Sequence, residues 1–120
     1  MNKDTIDSLT EDEFDVRKCE IEITNYDTCV LVKYKRIGAY GQDGLKSHLY
    51  PLAEKETRPI IVDFTQMKIL NSNEVGVIAE AHKRALKKNN RIIVIAPEYV
   101  ASVISECYNL TKAGVIVIES

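Results

Sequence analysis

Asp63-Phe-Thr-Gln-Met-Lys-Ile-Leu-Asn-Ser-Asn-Glu-Val-Gly-Val-Ile78 is the stretch on which the reading of this chain turns. The β-branched run Ile60-Ile-Val-Asp-Phe64 leads into it and reads as a buried strand. A short loop follows, and a helix begins near Asn71-Ser72. Asn71-Ser-Asn-Glu74 matches an asparagine-started capping box, with Glu74 reaching back to its own cap. The first amides of such a helix lack partners within it, and the helix dipole makes the spot mildly positive. A hydroxyl there can hold a phosphate, and about two added negative charges would alter what docks on that surface. Capping alone accounts for Asn71 and Ser72, and chemistry alone favours the cap over a switch. Gly76, one turn into the helix, costs about 1 kcal/mol against alanine. It points either to close packing of the helix start or to a surface that something approaches.

Upstream, Cys19, Ile21 and Ile23 alternate with Glu20, Glu22 and Thr24, the period of a half-buried strand. Asn25-Tyr26-Asp27 supplies turn residues. A second strand runs from Thr28 to Ile37, with Val30, Val32 and Tyr34 on one face. The loop Gly38–Gly44 ends it. Leu45, His48, Leu49 and Leu52 mark a short amphipathic helix, with His48 on its apolar stripe. Pro51 should kink that helix or set its end.

Downstream, Ile92–Ile95 and Val115–Ile118 repeat the pattern of Ile60–Phe64. The three runs scarcely alternate, as parallel strands covered on both faces do. One helical pattern separates each pair, which suits right-handed crossovers. In the first crossover Val75, Ile78, Ala79, His82 and Leu86 form the buried stripe, and Glu80, Lys83, Arg84, Lys87 and Lys88 the wet face. In the second, Pro97 suits the first turn, and Val100, Val103, Ile104 and Cys107 form the stripe. The expected fold is α/β in the order β-β-α-β-α-β-α-β. An edge hairpin leads into a mixed sheet with helices packed on it.

The chain has 120 residues, 45% apolar and 28% charged, with a formal net charge of −2. That is one domain of ordinary globular composition. The balance argues against a dedicated nucleic-acid binder. No apolar run approaches the roughly 20 residues that span a bilayer, and MNKDTIDSLTEDEFD is not a signal peptide. The expectation is a protein in, or facing, the cytoplasm. The charge is uneven: residues 1–15 hold six acids against Lys3, a sum of −5, so the remainder sums to +3. Residues 1–16 read as a mobile acidic arm and 17–120 as the domain. Cys19, Cys29 and Cys107 sit in apolar patterns and read as reduced, buried thiols.

Catalytic signatures are absent: the sequence holds no phosphate-binding glycine loop, no dinucleotide fingerprint and no nucleophile elbow. His48 and His82 fit no metal-ligand spacing. Asp63 at a strand end invites comparison with a receiver-domain phosphoacceptor. The first strand, however, ends in Thr24-Asn25 without the acids that would hold magnesium. An enzymatic reading needs converging polar groups, such as Cys107, His82 and Asp63 in one cleft.

The element order, the Asp63–Ile78 segment and the tail Asn109-Leu-Thr-Lys-Ala-Gly-Val-Ile-Val-Ile-Glu-Ser120 resemble a STAS domain. This is the fold of anti-sigma factor antagonists, and the resemblance spans about Arg17 to Ser120. Such domains typically carry an Asp-Ser-Ser-Gly-Leu-Gly-like stretch at this helix start, and an anti-sigma kinase phosphorylates the second serine. Here Asn71 takes the aspartate position, Ser72 the first serine and Asn73 the phosphoacceptor, with Glu74-Val75 for Gly-Leu and Gly76 matching the last glycine. Asparagine cannot be phosphorylated. Ser72 is the alternative acceptor, but one step along a helix turns its side chain by about 100°. The family's aspartate after the second strand is missing from Ile37-Gly-Ala-Tyr40. The family also usually adds a closing helix. The final helix is expected to be absent here: either the chain is trimmed, or a partner or the arm covers that part of the sheet.

The resemblance implies a non-catalytic protein-interaction domain docking an anti-sigma factor, a serine-kinase-like partner or another STAS regulator. Asn71, Ser72, Asn73, Glu74, Gly76, Val77 and Tyr40 are the expected partner-binding residues. No cofactor, metal, nucleic acid or membrane insertion is expected, and a homo-oligomer is open. The alternative is a STAS-type accessory subunit of a membrane transport (ABC) system.

Overall fold

Alternation dictates the hairpin. In the computed structural model, which describes residues 16–120, β1 (Cys19–Asn25) pairs antiparallel with β2 (Val30–Arg36), Ile21 opposite Tyr34 and Ile23 opposite Val32. The acidic arm lies outside the described residues. β3 (Ile60–Asp63), β4 (Ile92–Ala96) and β5 (Ile116–Glu119) then add in parallel, giving the order β1-β2-β3-β4-β5.

α1 (Gln42–Lys55) starts inside the expected loop and continues past Pro51, so Pro51 does not set its end. Its buried residues are Gln42, Leu45, Leu49 and Ala53. His48 therefore lies off the stripe: it is exposed, its Nδ1 2.8 Å from the Gly44 carbonyl oxygen. α2 (Ser72–Leu86) buries a broader face, from Glu74 and Val75 to His82 and Ala85, because α1 as well as the sheet packs against it. Leu86, expected in the stripe, is exposed. α3 (Glu98–Ser102) is capped by Pro97 and widens into a π-turn over Val103–Cys107, where the Tyr108 amide bonds back to the Val103 carbonyl. Cys19 and Cys29 are free thiols, only half-buried. The side chain of Cys107 lies outside the described residues.

The core occupies one side of the sheet. Val30, Val32, Tyr34, Ile60, Val62, Ile92, Val94 and Ala96 are all buried against the helices. The opposite face carries the ladder row Leu31, Ile61, Ile93 and Ile116. The first three are half-buried, whereas Ile116 and Ile118 are exposed. Coverage on both faces, expected from the unbroken apolar runs, is thus not found among the described residues. A β-branched run fits a strand with one covered face as well as two, since its propensity is for the pleated backbone.

Candidate partner-docking site

The C-terminal ends of β2 and β3 converge on the start of α2. Asn71 is in extended conformation and its side chain accepts the Glu74 amide at 2.8 Å. Glu74 Oε1 accepts the Asn71 amide at 2.9 Å, which completes the capping box. A capping-box carboxylate is usually wet. Glu74 is instead fully buried. Its Oε2 accepts the Tyr34 hydroxyl at 2.6 Å, and its Oε1 also takes an ion pair from Arg36 Nη1.

Each member of this network has its own anchor. Tyr34 stands edge-on to Phe64, centroids 5.8 Å apart. Burial, then the hydrogen bond to Glu74 and its charge, push the Tyr34 phenol well above its ordinary pKa, so it stays a donor. The Arg36 amide donates to Met67 Sδ at 3.3 Å and its Nη2 lies 3.5 Å from the Ile69 carbonyl oxygen. Asn71 Nδ2 reaches Gln42 Oε1 at 3.4 Å, joining the starts of α1 and α2. A carboxylate taken out of water needs such charge-assisted bonds, and here they brace the helix start from three sides.

Above this base lie the expected contact residues. Ser72, Asn73 and Gly76 are exposed, and Asn71 is half-exposed. A Cβ on Gly76 would meet nothing within 4 Å. Packing within the chain therefore does not require this glycine. Tyr40 is 54% exposed, two residues before α1. Glu74 and Val77 are buried, so Glu74 supports the surface without presenting itself on it. Asp43, Lys46 and Tyr50 face Ser72, Asn73 and Gly76 across a shallow groove.

Sequence reasoning missed Tyr34, Arg36 and Gln42 as parts of this site. One signal was available: Arg36 continues the core-facing register of Val30, Val32 and Tyr34, and a cation there calls for a buried acid. Asp63 and His82 do not meet. Asp63, at the C-terminal end of β3, accepts the Thr65 amide at 2.8 Å. His82 sits at the other end of the sheet, its Nδ1 3.2 Å from the Ile92 amide. Among the described residues no three His, Cys, Asp or Glu side chains come together as a metal site. No helix among them is long and apolar enough to cross a membrane.

Comparison with solved structures finds the crystal structure of an anti-sigma factor antagonist from Mycobacterium paratuberculosis, with a TM-score of 0.73 over 87% of this chain and 88% of that one. The chain has the STAS fold. Sequence identity is 12%, so the likeness is one of architecture. No family model matches the chain, and no curated protein matches it. The Asn71–Gly76 helix start follows β3 and lies at the C-terminal edge of the sheet.

Proposed function

We infer that this STAS-fold domain is a non-catalytic regulatory module that acts from the cytoplasmic compartment by docking a protein partner of the anti-sigma-factor or serine-kinase class. The contact surface is the start of α2 with Tyr40, and Asn73 at the acceptor position makes docking independent of the usual serine phosphorylation. The observation that carries the reading is the pairing of an exposed, side-chain-free Gly76 with a rigid base at Glu74. A fold alone hosts many functions, so the support comes from this site. An open, preorganised helix start, with no catalytic groups converging on it among the described residues, suits recognition better than chemistry.

The test is phosphosite mapping of the intact chain recovered from cells, beside an Asn73→Ser variant. The wild-type chain should carry no phosphate at Ser72, and the variant should gain it at residue 73. Stoichiometric phosphate on Ser72 of the wild type would overturn the switch-free reading.

A further inference from the structure

Beside the α2 start, around Arg36, lies a second surface that the docking reading does not use. Arg36 runs through its middle, its charge met by Glu74. Met67, Lys68 and Ile69 line a cleft with Lys35 on one side of Arg36. Gly41 packs on the other side: a Cβ there would stand 2.8 Å from Arg36 Cγ and 2.9 Å from the Lys18 carbonyl oxygen. Three large apolar side chains stand open around it, Ile69 at 55%, Ile37 at 45% and Val16 at 51% exposure. Lys35 and Lys68 are exposed, and neither makes an ion pair among the described residues, although Glu20 stands opposite Lys35 in the β1–β2 register. Apolar side chains between unpaired lysines suit an acidic segment that carries a few apolar residues of its own.

Such a segment is covalently attached at this spot. The Val16 carbonyl accepts the Tyr40 amide at 2.6 Å, which fixes Val16 at the rim of the surface. Residues 1–15 sum to −5 and include Ile6, Leu9 and Phe14. Fifteen residues reach up to about 50 Å when extended, far more than the few strand spacings of about 4.8 Å to be crossed. A short tether also gives an effective concentration of about millimolar, so even weak complementarity is expressed.

We propose that the chain's own acidic segment 1–15 occupies the Lys35–Lys68–Ile69 surface, in cis. This contact does not rest on the docking reading and is tested without any partner.

The experiment is zero-length carbodiimide cross-linking of the full chain, which joins a carboxylate to a lysine amine with loss of water. Trypsin then releases the acidic segment as the single peptide Asp4–Arg17. That peptide should be joined chiefly to Lys35 or Lys68, and the yield should fall about fivefold when sodium chloride is raised from about 0.05 to 0.5 M, as screening demands. Mixed ¹⁴N and ¹⁵N chains should give same-label cross-links only. Cross-links spread evenly over remote lysines such as Lys55 and Lys112, or mixed-label pairs, would overturn the proposal.

Discussion

The hydroxyl of Tyr34 lies 2.6 Å from Oε2 of Glu74, forty residues away in sequence and both of them inside the core. This bond ties the first turn of α2 to the end of β2, and it sets the attitude of the surface above it. Tyr34→Phe leaves a buried carboxylate one donor short and should cost about 1–3 kcal/mol in urea unfolding. Glu74→Ala also breaks the capping box and strands Arg36, so it should cost more, about 2–4 kcal/mol. Equal effects of the two variants would contradict the network.

Gly76 and Gly114 should respond oppositely to alanine. Gly76→Ala fills open space on a helix and should raise stability by about 1 kcal/mol. Gly114 has φ +105°, and a Cβ there would stand 3.1 Å from His82 Nε2. Gly114→Ala should therefore destabilise by about 1–3 kcal/mol. Thermal melts of the two variants decide it by the sign of each shift.

Stability should fall in mild acid through His82. Burial lowers its pKa below the ordinary 6.5, and its Nδ1 is committed as an acceptor to the Ile92 amide. Below about pH 6.5 the unfolded chain gains a proton that the folded chain resists, so stability present above 6.5 is lost as pH falls through the depressed folded value. His82→Asn keeps an acceptor but does not titrate, and should flatten unfolding free energy against pH below about 6.5. Glu56, held at about 2 by Arg58, acts in a separate window: its contribution is present above its ordinary 4.5 and fades towards 2. A slope unchanged by His82→Asn would assign the acid sensitivity elsewhere.

Much of the fold was legible because strand period, turn residues and the capping box agreed with one another. Asn71–Glu74 named its own helix start, and the Cys19–Thr24 alternation named the hairpin. Local pattern misled where a neighbouring element decides burial. His48 fits an i, i+3 stripe, but α1 turns Gln42, Leu45, Leu49 and Ala53 inward instead. Leu86 is the last residue of α2, and it is exposed there. The brace beneath the site was hidden because Tyr34, Arg36 and Glu74 meet only in three dimensions. Only the misplaced cation at Arg36 hinted at it.

The central claim is that a protein partner docks on the start of α2 around Gly76. Affinity purification of the intact wild-type chain from its own cells, beside Gly76→Arg and the remote control Lys112→Glu, tests it most directly. An anti-sigma factor or serine-kinase-type protein should be recovered with the wild type and the control, and fall at least about tenfold with Gly76→Arg. Recovery of that partner in equal amount with Gly76→Arg, in a variant that melts like the wild type, would contradict the account.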